Sequence, residues 1–115
     1  MRVLIAEDEQ VSRHLLEILM EEWGYEAVIC EDGLQAWEAM QKADAPQLGI
    51  LDWMMPGIDG LELCRRVRQR SDARPTYILF LTAKAQESDI VQGLKAGGDD
   101  FVTKPFDQEV LRARL

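Results

Sequence analysis

Residues 48–60 read LGILDWMMPGIDG. Four consecutive apolar residues, Leu48 to Leu51, stop on a carboxylate, Asp52, and a Pro56-Gly57 turn follows. A continuous apolar run, as opposed to an alternating one, suits a strand buried on both faces of a parallel sheet. The same grammar recurs along the chain. Residues 3–6 run into Glu7-Asp8-Glu9, residues 27–30 into Glu31-Asp32, residues 78–81 into Thr82, and the shorter 101–102 into Thr103-Lys104-Pro105.

Helical spacing fills the gaps. The stripes are Val11, Leu15, Ile18 and Leu19; Leu34, Trp37 and Met40; Leu63, Cys64 and Val67; Ile90, Val91 and Leu94; and Val110, Leu111 and Leu115, the last preceded by Asp107 as a predicted N-cap. Breakers fall at Gly24, Pro46, Pro75 and Gly97-Gly98. Five strands alternating with five helices predict one (βα)5 domain over residues 1–115, an open, doubly wound parallel sheet with helices on both faces. No GxGxxG follows the first strand, so a dinucleotide site is disfavoured.

Bulk properties narrow the function. The 115 residues fit one core and no more. With 21 acidic and 13 basic side chains the net charge is −8, which repels phosphate backbones and argues against direct nucleic-acid binding. No apolar run reaches the roughly 18 residues of a membrane span, and no signal stretch opens the chain. Cys30 and Cys64 lie far apart without CxxC spacing and read as buried thiols. A cytoplasmic protein is expected.

Open α/β sheets bind ligands beyond the carboxyl ends of their strands. Four strands here deliver Glu7, Asp8, Asp52, Thr82 and Lys104 to that edge. A single carboxylate after a strand is ordinarily a helix cap; this many converging groups are not explained by capping. Carboxylates without His or Cys form a hard-oxygen site suited to Mg²⁺. An aspartate can serve as a nucleophile toward phosphorus, and a cation and a hydroxyl suit the oxygens of a phosphoryl group.

In combination, VLIAEDE (3–9), LGILDWMMPGIDG (48–60), ILFLTAKA (78–85) and GGDDFVTKPF (97–106) resemble the response-regulator receiver family of two-component signalling, the chemotaxis regulators among them, over essentially the whole chain. The resemblance implies a flavodoxin-like sheet of order 2-1-3-4-5. It implies Asp52 as phosphoacceptor and a Mg²⁺ site formed by Asp8, Asp52, the Met54 backbone carbonyl and, through water, Glu7. Aspartate is commoner at the Glu7 position; glutamate keeps the charge and adds a methylene. Thr82 resembles the mobile hydroxyl, Lys104 the phosphoryl-binding cation and Phe101 the aromatic switch. A cis Lys104-Pro105 bond is also implied.

The implied partners are a sensor histidine kinase or phosphotransfer protein, a downstream output domain or protein, and in some members a second copy. Such a domain is not an enzyme in the usual sense, although it assists its own phosphorylation and dephosphorylation. The switched surface would be the fourth helix, fifth strand and fifth helix. Met54 and Lys84 would flank the attacking water, and an apolar Met54 predicts slow to intermediate self-hydrolysis.

Other residues read more plainly. His14 reads as a surface helical residue, Trp53 as rim packing, and Arg65, Arg66, Arg68 and Arg70 as a solvated face. Glu31 and Asp32 follow an edge strand, too far from the centre to bind the same ion. A haloacid-dehalogenase-like phosphatase shares the Asp, Thr/Ser, Lys and Mg²⁺ pattern, but its general acid would fall at Met54. A degenerate receiver is disfavoured by the intact Asp8, Asp52, Thr82 and Lys104. The last helix meets no stop signal before Leu115, so it is expected to be cut short, with an output module beyond it. Ile90 and Val110 stand where winged-helix-driving receivers pair charges, while Asp100 and Arg114 match a second such pair. That combination predicts some other output module, with a diguanylate cyclase and a kinase-linked relay as open options.

Overall fold

The computed structural model describes residues 1–70, 75–83 and 87–115. Ten elements alternate: β1 (Arg2–Ala6), α1 (Gln10–Glu22), β2 (Glu26–Cys30), α2 (Gly33–Gln41), β3 (Leu48–Leu51), α3 (Gly60–Arg68), β4 (Tyr77–Thr82), α4 (Glu87–Lys95), β5 (Asp100–Thr103) and α5 (Gln108–Arg114). All strand pairs are parallel, in the order β2-β1-β3-β4-β5. β5 gains a residue at each end over its two-residue prediction, because Thr103 continues the ladder beside Thr82 and Asp100 beside Leu79.

Side chains of one strand alternate between two cores. Leu4, Ala6, Ile78 and Phe80 face α2 and α3, packing with Met40, Leu63 and Val67. Val3, Ile5, Leu79 and Leu81 face α1 and α5, packing with Leu16, Leu19, Met20 and Leu111. The continuous apolar strand runs follow directly from having a core on each side.

Three predicted helix stripes are rotated from the buried face. In α1 the buried residues are Leu16, Leu19 and Met20, whereas Val11, Leu15 and Ile18 are exposed, Val11 at 74%. In α2 Gly33, Ala36 and Met40 are buried and Leu34 is exposed. In α4 Gly93 is buried while Val91 and Leu94 face outward. In α2 and α4 small residues let the helix approach closely, so large apolar side chains alone do not mark the inward face; in α1 the inward face is itself large and apolar but is turned toward Leu16 and Met20. A Cβ on Gly98 would come within 2.4 Å of the Phe80 ring, which shows how tightly the end of α4 seats on the sheet. The α3 stripe, Leu63, Cys64 and Val67, is buried as predicted.

Carboxylates start four helices. Glu9, Asp32, Asp59 and Asp107 each accept hydrogen bonds from first-turn N–H groups of α1, α2, α3 and α5. Glu9 and Asp32 are thereby spent on capping, which separates them from the acidic residues at the strand ends.

Candidate functional site

The strand order places β1 and β3 side by side while β2 lies on the other flank of β1. The crevice at such a reversal opens beyond the carboxyl ends of β1 and β3. Glu7 and Asp8 follow β1 and Asp52 follows β3, and one carboxylate oxygen from each lies within 4.8 Å of the others. The Asp52 N–H donates to the Ala6 carbonyl at 2.9 Å, locking the two strand ends together. Gly60 closes the floor: its N–H reaches the Trp53 carbonyl at 2.9 Å, and a Cβ there would lie 2.2 Å from the Asp52 carbonyl oxygen.

Lys104 enters from the end of β5. Its Nζ donates to Asp52 Oδ2 at 3.0 Å and also to Glu7 Oε1. Asp52 Oδ1 accepts the Met54 N–H at 3.3 Å, so both oxygens of the central carboxylate are oriented. Asp52 and Glu7 are buried and Asp8 is exposed, giving the cluster one open side. Burial, helped by a hydrogen bond to Asp52 and opposed by Lys104, pushes the Glu7 carboxyl up to about 7. Burial works against the charged form of Lys104, but its bonds to Glu7 and Asp52 carry its pKa above the usual lysine value.

The donor set fits a divalent hard cation. With all three carboxylates ionised, the state a bound cation would favour, one ammonium leaves two negative charges, and oxygen-only donors suit Mg²⁺.

The remaining candidates sit around this centre. Thr82 is buried at the end of β4, and its carbonyl accepts the Lys104 N–H at 2.8 Å. Lys104-Pro105 is cis, as the sequence resemblance implied. The Met54 side chain is 57% exposed beside the open side. Lys84, expected opposite it, lies outside the described residues, as does Ala85 of the same segment. Phe101 is half-buried, its ring 6.1 Å from both Trp53 and Phe80.

Several plainer readings change. Trp53 is not rim packing: it is 5% exposed, with its ring 5.7 Å from Phe80 at a tilt of 44°. Arg68 and Arg70 are not a solvated face. Arg68 binds the Thr76 and Gly97 carbonyls and Asp99, and Arg70 binds the Met40 carbonyl and Thr76 Oγ1, so both tie backbone ends at the far edge of the sheet. His14 is exposed near Glu17, as read. Both cysteines are buried, which raises their thiol pKa values to about 11.

The chain matches the family model described as response regulator receiver domain over residues 3–115. It belongs to that family, the receiver domains of two-component response regulators. It is 43% identical over 113 residues to the transcriptional regulatory protein CseB of Streptomyces coelicolor, covering 98% of this chain and 47% of the relative. It is 42% identical over 114 residues to the phosphate regulon transcriptional regulatory protein PhoB of Rhizobium meliloti, covering 99% and 50%. A putative response regulator from Chloroflexus aurantiacus superposes with a TM-score of 0.91 at 35% identity, covering 98% of this chain and 92% of the other. The chain thus spans about half the length of the curated relatives it matches. No helix among the described residues is long and apolar enough to cross a membrane.

Proposed function

We propose that Asp52 accepts a phosphoryl group from a phosphohistidine of a sensor kinase or phosphotransfer protein, with Mg²⁺ bound by Asp8, Asp52, the Met54 carbonyl and, through water, Glu7. The observation that carries this reading is the convergence of Glu7, Asp8, Asp52 and Lys104 at one crevice, with Asp52 Oδ2 3.0 Å from Lys104 Nζ. When bound, the ion would neutralise the crowded carboxylates and the oxygens of the incoming group.

The chain's own residues do the rest. Asp52 is held in place by two donors, one on each oxygen, so attack needs little further ordering. A P–O bond to Asp52 forms as the P–N bond to the donor imidazole breaks. Lys104 then moves its charge from the carboxylates to the phosphoryl oxygens, and Thr82 supplies a hydroxyl. Loss of the Lys104 contacts to Glu7 and Asp52 and movement of Thr82 free the space into which Phe101 turns. That rearrangement alters the surface of α4, β5 and α5. In a longer chain the output would be control of transcription, as the relatives' names suggest.

The donor protein needs a landing surface next to Lys104. Exposed Leu15 on α1 lines a groove of about 470 Å³ together with Ala83, Lys104, Pro105 and Phe106, and Val11 and Ile18 are exposed one turn away on the same helix. An apolar helix face packed there would bring its histidine to the open side of the site.

The test is incubation with Mg²⁺ and acetyl phosphate followed by intact mass measurement. A single labile phosphoryl adduct is expected, absent with EDTA and absent in Asp52→Asn. Steady turnover of p-nitrophenyl phosphate would instead support the phosphatase reading, and neither result would support a degenerate receiver.

A further inference from the structure

Arg13 lies in the first turn of α1, and its side chain runs back over the loop that leaves β1. One nitrogen, Nη1, donates to two consecutive carbonyls, Glu7 at 3.2 Å and Asp8 at 3.3 Å. The other, Nη2, lies 3.6 Å from Glu31 Oε1 beyond β2. The side chain is only 17% exposed, so it is packed into place.

The two carbonyls belong to the peptide planes on either side of the Asp8 Cα. Holding both planes fixes φ and ψ of Asp8 and therefore the direction of its Cβ. Among the described residues the Asp8 carboxylate makes no hydrogen bond or ion pair that would aim it, whereas Glu7 and Asp52 are both steered by Lys104. Resting on the metal-dependent reading above, we infer that Arg13 is a positioning residue for the divalent ion, acting on Asp8 through the backbone and braced by Glu31.

A competing effect has the opposite sign. A guanidinium bonded to the loop that carries Glu7 and Asp8 also adds positive charge near the cluster, and by charge alone its removal would tighten cation binding. The fork geometry separates the two effects, since lysine keeps the charge but cannot span both carbonyls and the Glu31 carboxylate.

Mg²⁺ affinity, read from tryptophan emission (Trp53 adjoins Asp52), and the thermal midpoint in EDTA are measured for wild type, Arg13→Ala and Arg13→Lys. Expected is about a tenfold loss of Mg²⁺ affinity for Arg13→Ala, the low end for a residue that orients a ligand. Arg13→Lys should bind more weakly than wild type and more tightly than Arg13→Ala. Unchanged affinity with a lowered midpoint would make Arg13 merely structural, and tighter binding would make it an electrostatic screen; either overturns the inference. Should Arg13→Ala not fold, Arg13→Lys decides alone, with wild-type affinity as the contrary result. Wild type failing to bind Mg²⁺ would overturn the reading of the site itself, a different failure from the first two.

Discussion

Glu7 reaches one methylene further than an aspartate would, and it does so from a buried position against Asp52 and Lys104. Its pKa, raised from 4.5 to about 7, sets a sign for the pH dependence of the metal-free domain. Between those values the folded state keeps a proton that the unfolded chain has released. Stability therefore falls as pH rises through that window, by something on the order of 1–3 kcal/mol from this group, and is flat in this respect on either side. Saturating Mg²⁺ should shrink the loss, because the ion binds the anion that burial disfavours. Melts in EDTA between pH 4.5 and 8 check this; an equal slope in Glu7→Gln would assign the effect elsewhere. Met54 offers a second test at this scale. Its thioether stands exposed at the open side and cannot hold an attacking water by a strong hydrogen bond. Met54→Glu should change the decay rate of the phosphorylated state several-fold, and an unchanged rate would show that water arrives by another path.

The strands were legible as unbroken apolar runs, and the acidic cluster as the residues that follow them. The helix faces were less so. Periodicity tracks large apolar residues, yet α1, α2 and α4 bury Leu16, Met20, Gly33, Ala36 and Gly93 and leave Val11, Leu34 and Val91 outside. In α2 and α4 close packing favours small residues, which carry almost no signal in a hydrophobic pattern; α1 instead offers apolar residues on two faces, and the sequence does not say which one turns inward. Trp53, Arg13 and Arg68 were missed for a different reason. Their partners lie in other elements, so nothing local distinguishes them from surface residues. The outward stripe of α1 makes its own prediction. Leu15→Asp leaves the core untouched but puts a charge on the surface proposed to receive the phosphodonor. It should slow transfer from a cognate kinase about tenfold or more, as expected for an interface anchor, while labelling by acetyl phosphate is unchanged. Equal slowing with both donors would locate the defect in the site instead.

At the level of the whole molecule, one end of the sheet holds the charge chemistry and the opposite end is tied by arginines. Between them, α4, β5 and α5 present a groove of about 310 Å³ lined by Ile90, Phe101, Val102, Val110 and Arg114. Asp100 and Arg114 pair within the chain at 3.2 Å, so that charge pair is already satisfied before any second copy arrives. Self-association across this face is therefore predicted to depend on burying Val110, which is exposed, more than on Arg114. In sedimentation of the phosphorylated domain, Val110→Glu should weaken association more than Arg114→Ala; the reverse order would restore the charged interface. All of this depends on one bond. Borohydride reduction of the phosphorylated protein, followed by peptide mapping, converts an aspartyl phosphate to homoserine and locates it. The account predicts homoserine at position 52 alone, only when Mg²⁺ was present, and none in Asp52→Asn. Homoserine at another aspartate, the corresponding hydroxynorvaline at a glutamate, or a phosphoryl group on His14 or a hydroxyl side chain would contradict it.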